Sequence, residues 1–161
     1  MPVKQEIIDH GWNDIVKQTK AADGSFTKVG YPREGRLEGG QGESDNNTMA
    51  DLILVAAVQE FGSPSKNIPP RPTVSTTFDE NLDELNRRKT KEYQRILDGK
   101  STARQGLSRI GEWMVSKIRR KITQLKTPPN APSTIAKKGS TNPLIDSGQM
   151  RQSVQHIEVK K

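Results

Sequence analysis

From Ala103 to Lys126 the apolar residues Leu107, Ile110, Met114, Ile118, Ile122 and Leu125 recur in steps of three and four, the spacing that lines one face of an α-helix. A helix of that length spans roughly 36 Å and can support a whole small domain. Pro128 and Pro129 stop it, because proline lacks the amide hydrogen and clashes with the preceding turn. The polar side carries Arg109, Lys117, Arg119, Arg120, Lys121 and Lys126. Basic residues in its last turn oppose the negative end of the helix dipole, so part of this charge needs no ligand.

Leu, Ile, Val and Phe make up 33 of the 161 residues, about a fifth, which is the edge where sequences begin to bury too little surface. One domain over residues 1–161 is expected, with one modest core and segments that order against partners. The absence of cysteine removes disulfides and thiolate metal sites and suits a reducing cytoplasm. MPVKQEIIDHGW at the N-terminus lacks the apolar run of a secretory signal, and no 18 apolar residues follow one another anywhere, so a soluble protein without a membrane partner is expected.

The formal charge is +7, and the whole excess lies after residue 86. A basic half can meet nucleic acid, an acidic membrane or an acidic neighbouring subunit, or can simply solvate a helix face. Two Trp, two Tyr and three Phe are too few to build the stacking platforms of single-strand binders.

Ahead of the long helix, Val3 to Ala21 places Ile7, Ile8, Trp12, Ile15 and Val16 on one face and predicts a helix weakened by Gly11. Ser25 to Pro32 alternates as a short strand, and residues about 34–47, rich in glycine and acids, read as a flexible loop. Thr48 to Glu60 fits a helix capped at Thr48 or a buried strand; its alanines and Gly62 favour the helix. The four prolines of SPSKNIPPRPTV predict an extended arm at about 63–76. TFDE at Thr77–Glu80 matches a capping box that opens a further helix running to Leu97, with Gly99 as its stop. A second extended arm is expected at about 127–145, followed by a turn capped by Asp146 with Gln149 in the box position. Ile157 and Val159 close the chain as a strand, with Val154 either in the preceding turn or at a bulge. The expected class is α+β: a long central helix with shorter helices packed on a small antiparallel sheet, with extended proline-rich arms.

No constellation carries catalysis, so no enzyme, cofactor or metal is expected. GKST at Gly99–Thr102 ends like a phosphate loop, but Gln94 stands where the first glycine belongs. Gly40 and Gly42 do not complete a dinucleotide fingerprint, because Asp45 replaces the last glycine. His10 and His156, the only imidazoles, lack ligand spacing, and no serine sits in a glycine-flanked elbow. Asn46–Thr48 matches a glycosylation pattern that has no meaning without export.

Three segments in this order, VAAVQEFG, IPPRPTVSTTF and NAPSTIAKKGSTNPLIDSGQMRQSV, resemble the tail-completion or neck proteins of long-tailed bacteriophages, of the minor tail protein Z type and its tail-component or virion-morphogenesis relatives. The corresponding positions are Glu60, Phe61 and Gly62, then Arg71 and Pro72, and then Leu144, Ile145, Asp146, Ser147 and Gly148. Ser147 stands where threonine is usual, and Thr73 where an aromatic commonly follows Arg-Pro. The resemblance, which runs from Val29 to the C-terminus, implies a structural protein of the virion neck, made in the host cytoplasm. It implies a homo-oligomeric ring of six copies that completes the tail and joins it to the head, with tail terminator or tail tube and head-completion or connector proteins as partners. Proline arms that cannot pair locally suit reaching an adjacent protomer of such a ring. The expected contact residues are Glu60, Phe61, Gly62, Pro69, Pro70, Arg71, Pro72, Pro132, Ser133, Thr134, Lys137, Lys138, Leu144, Ile145, Asp146 and Gly148. A tail terminator capping the tube is the alternative within the virion. A DNA-binding module using Arg87, Arg88, Lys89 and Lys91 with Lys117, Arg119 and Arg120 is the alternative outside that class, and non-specific contact with DNA in the channel is compatible with the ring.

Overall fold

The computed structural model describes residues 11–31 and 46–159, with side chains of the second stretch described from residue 52. The expected helix before Gly11 with Ile7 and Ile8, His10, the loop from Glu34 to Asp45 and the side chains of Asn46–Thr48 lie outside this range. Seven α-helices and two strands form among the described residues, consistent with the α+β class. They are α1 (Trp12–Ala22), β1 (Phe26–Gly30), α2 (Asn46–Phe61), α3 (Val74–Glu80), α4 (Leu82–Leu97), α5 (Ala103–Gln124), α6 (Pro132–Lys138), α7 (Gln149–Gln152) and β2 (Gln155–Val159).

The long helix α5 is the centre. Thr102 and Gln105 form its capping box, the Thr102 hydroxyl accepting from the Gln105 amide at 3.2 Å and the Gln105 side chain from the Thr102 amide at 3.0 Å. That satisfies two of the donors that every helix start leaves unpaired. Ala103, Gly106, Gly111, Met114, Val115, Ile118 and Ile122 are buried along one stripe, and both strands, α1, α3, α4 and α7 pack against the helix. Met114, Ile118 and Ile122 join Val115, Ala56, Leu144, Met150 and Val154 in the core. Leu107 and Ile110, the N-terminal members of the expected stripe, are only half-buried.

β1 and β2 pair antiparallel, Phe26 opposite Val159 and Gly30 opposite Gln155. Two strands alone are marginal in water, and here α5 supplies the missing support. Its approach is close: a Cβ built on Gly111 would lie 2.6 Å from the His156 ring. Val154 is fully buried just before β2, so it belongs to the preceding turn.

Four local expectations are corrected. Gly11 is no weak point inside a helix; at φ 90° it is the residue from which α1 starts, a conformation glycine adopts without strain. α2 begins at Asn46 rather than behind a Thr48 cap. Thr77 does not open a helix: it is buried inside α3, donating to the Thr73 carbonyl. The helix that follows is separate, because the Asn81 side chain donates to the Thr77 carbonyl at 2.7 Å and the chain turns there before α4. Asp146 does not cap α7 either. Gly148 stands at its N-cap without a side-chain bond, and Ser147 Oγ accepts from the Gln149 amide at 3.4 Å.

Neither proline segment is the extended arm expected. Pro64–Lys66 forms a 3-10 turn closed by the pair Ser63 and Ile68, leaving only Pro69–Pro72 without regular structure. In the second segment Pro132 takes the first turn of α6, where its missing amide hydrogen costs nothing. Gly139, at φ 65°, ends that helix.

Substituting Gly111→Ala should improve helix propensity by at most about 1 kcal/mol yet lower stability by about 1–3 kcal/mol through collision with His156. Urea denaturation of the two proteins checks the sign.

Candidate functional site

The resemblance-bearing segments meet at the C-terminal end of α2. Arg71, 4% exposed, projects from the Pro69–Pro72 stretch into a cage of acceptors. Its Nε donates to the Pro128 carbonyl at 2.8 Å, one terminal nitrogen to the Pro129 carbonyl at 3.0 Å and Asn130 Oδ1 at 3.4 Å, and the other to Gln59 Oε1 at 2.9 Å. Its backbone amide donates to the Gln59 carbonyl. Burial draws the guanidinium below its ordinary pKa, and several fixed donor bonds offset the cost of removing the charge from water. The fork geometry suits arginine; one ammonium cannot serve four acceptors in these directions.

Beside it, Glu60 caps α3 from outside that helix. Its carboxylate accepts from the backbone amides of Thr73 at 2.7 Å, Val74 at 3.1 Å and Ser75 at 2.9 Å, and from the Ser75 hydroxyl at 2.6 Å. Burial pushes the carboxyl up, but the bonds from Ser75, Thr73 and Val74 outweigh it and hold the group below its ordinary value. Tyr31 lies nearby, its phenol pushed up to about 12 by burial and by the Glu60 charge. The Tyr31 hydroxyl and the Asn130 side-chain nitrogen are buried and find no partner among the described residues.

Glu60, Phe61 and Gly62 thus have three different tasks. Glu60 is a cap, whereas Phe61 is 79% exposed. Gly62 turns the chain at φ 78°, where a Cβ would lie 2.9 Å from the Ile68 carbonyl.

A second junction lies at the opposite end of the motif order. Asn142, buried, donates to the Thr123 carbonyl in the last turn of α5 at 3.0 Å and accepts from the Leu144 amide at 3.0 Å. Leu144 is held in the core, Ile145 is half-buried and Asp146 is exposed. Between α2, α6 and this turn opens a cleft of about 360 Å³, lined by Leu52, Val55, Thr134, Lys138, Leu144 and Asp146 among others. The structure therefore brings Thr134, Lys138, Leu144, Asp146 and Gly148 together around one cleft, while Arg71 is consumed within the protomer. Pro69, Pro70, Pro132, Ser133 and Lys137 are exposed; Pro72 and Ile145 are half-buried.

Sequence reasoning left Gln59, Asn130 and Asn142 out of the site. Asn142 precedes a proline, a turn signal visible in the sequence; Gln59 meets Arg71 across a turn of 12 residues, and the role of Asn130 arises only from a segment 59 residues away from Arg71 meeting it in space.

Much of the basic surface is engaged internally. Arg109 donates to Glu92 at 2.6 Å, Arg104 to Glu158 at 2.8 Å and Lys121 to Glu80. The bond from Arg109 is the main reason the Glu92 carboxyl sits below its ordinary range. Arg88 and Lys117 lie over the Trp113 ring at 4.7 and 5.5 Å, a cation–π arrangement.

No set of three or more His, Cys, Asp and Glu side chains fit to hold a metal ion occurs among the described residues, and no described helix is long and apolar enough to cross a membrane. Comparison with family models, curated proteins and solved structures finds no match.

Arg71→Met should cost about 3 kcal/mol by leaving the Pro128 and Pro129 carbonyls unpaired in a buried place, and Arg71→Lys should recover less than half of that loss in thermal unfolding. Because the folded-state pKa of Glu60 lies below its ordinary 4.5, its stabilisation is complete above pH 4.5 and fades as pH falls through the depressed value. Glu60→Gln should lower stability by about 1–2 kcal/mol at pH 7 and flatten the acid limb of the stability profile.

Proposed function

We propose that this chain is a structural protein of a bacteriophage head–tail junction, which completes the tail and joins it to the head as a homo-oligomeric ring of six copies. It acts by binding, without catalysing a reaction, and its place is the virion neck. The observation that carries this reading is the uncovered state of α2. That helix is apolar on nearly every side, a pattern that ordinarily belongs to a buried helix, yet Ala56 is its one buried side chain among those described. Leu54 is 62% and Phe61 79% exposed. Seven residues apart, they lie two turns from each other on one side of the helix, beside exposed Val55. Apolar surface of this kind marks a contact with another protein.

The clamp beneath supports the reading further. Glu60 and Arg71 fix the end of α2 rigidly, so Phe61 is presented from a firm base rather than from a mobile arm. A surface patch on one copy that meets a different patch on the next generates a ring when the rotation closes. The contact thereby shifts from the proline arms to the helix and to the cleft beside it. A tail terminator would use the same surface, and only position in the particle separates the two roles.

In sedimentation velocity the protein should show concentration-dependent assembly, and Leu54→Ser with Phe61→Ser should leave a monomer whose circular dichroism and melting temperature are close to the parent's. A parent that stays monomeric at high concentration and does not attach to isolated tails, or a double variant that assembles equally well, would defeat the proposal.

A further inference from the structure

We infer that a cleft between the C-terminal half of α5 and α7 is a contact for the phosphate backbone of duplex DNA. Arg119, Arg120, Thr123, Arg151 and Gln152 line an open recess of about 370 Å³ there. Two of its guanidiniums are held in place by the fold. Arg119 donates one terminal nitrogen to the carbonyls of Gln152 at 3.0 Å and Val154 at 2.8 Å, which leaves its remaining donors for the recess. Arg151 donates to Thr123 Oγ1 at 3.4 Å. Arg120 is exposed on the adjacent position of α5.

No carboxylate lines this recess, and none of its three arginines forms an ion pair among the described residues. This contrasts with Arg104, Arg109 and Lys121, whose charges are answered by Glu158, Glu92 and Glu80. After residue 86 the chain has eighteen basic residues against five acidic ones, and Glu92, Asp98 and Glu158, three of those five, are already paired. Some of the arginine charge does oppose the C-terminal dipole of α5. Three guanidiniums without a carboxylate partner among the described residues exceed that need and present the forked donors that match phosphate oxygens.

The ligand chemistry follows from what the recess lacks. It has no aromatic side chain, so it cannot stack unpaired bases as single-strand binders do. Its donors suit backbone oxygens, which carry no sequence information. Duplex DNA, with its dense and regular phosphates, is the matching polyanion. The contact differs from the one expected from sequence: Arg88 and Lys117 of that set lie on Trp113, while Arg151, which that set omitted, completes the recess.

The test is fluorescence anisotropy with a labelled 24-base-pair duplex of mixed sequence, about two helical turns, titrated across a salt series. The full chain, Arg120→Ala, the double variant Arg120→Ala with Arg151→Gln, and Arg87→Ala as a matched charge loss on α4 are compared. Binding should weaken steeply with salt; the single recess variant should lower the salt slope by about 1 and the double by about 2, with affinity falling on the order of tenfold per residue, while Arg87→Ala changes little. Arg120 is exposed and forms no ion pair among the described residues, so Arg120→Ala should keep the parent's circular dichroism and serves as the control against unfolding. Equal losses in Arg87→Ala and Arg120→Ala would replace the recess with diffuse attraction and overturn the inference. Tighter binding of the single strand than of the duplex, or full competition by millimolar inorganic phosphate, would do so too. Measurement at protein concentrations where sedimentation shows monomer keeps the outcome independent of ring assembly.

Discussion

One guanidinium ties together three distant parts of this chain. Arg71 reaches the end of α2 through Gln59, and the exit of α5 through Pro128, Pro129 and Asn130. A chain with so few aliphatic residues cannot fix every segment by hydrophobic burial alone. Polar side chains that bond to backbone groups therefore take over where the core thins out: Glu60 at the start of α3, Asn142 at the end of α5, Arg119 at the turn before β2. Each satisfies carbonyls or amides that the termini of helices leave unpaired. Such bonds are directional, so they set the angle between segments as well as their proximity.

This division explains how far the sequence could be read. The long helix was legible because its period is local and its stop is proline, and the closing strand was legible through Ile157 and Val159. The capping motifs were not, although two of similar form were present. TFDE at Thr77–Glu80 has the pattern and lies inside a helix, whereas Thr102 to Gln105 has the pattern and performs the capping. What separates them is Glu60, which lies thirteen residues before Thr73 and caps α3 instead. Proline content misled in a similar way. It predicted segments that stand away from the domain, but Pro132 opens a helix and Pro128 and Pro129 offer carbonyls to a buried arginine. A residue without an amide hydrogen is poor at pairing with a strand and well suited to accepting from a side chain.

The candidate site was legible in part. Glu60, Phe61, Gly62 and Arg71 were singled out together, and the structure divides them between framework and surface. Only Phe61 faces outward strongly. The arginine recess could not be read, since Arg119 and Arg151 are 32 positions apart and are brought together by the turn through Leu144 and Met150 into the core.

The bare apolar side of α2 has a further consequence for free copies of the protein. Mutual repulsion from the net charge of +7 keeps like molecules apart in dilute electrolyte, and dissolved ions shorten its reach to about 10 Å at 0.1 M. Ionic strength would therefore act on the two proposed contacts in opposite senses, easing the approach of Leu54 and Phe61 to a neighbour while loosening any hold of Arg119, Arg120 and Arg151 on a polyanion.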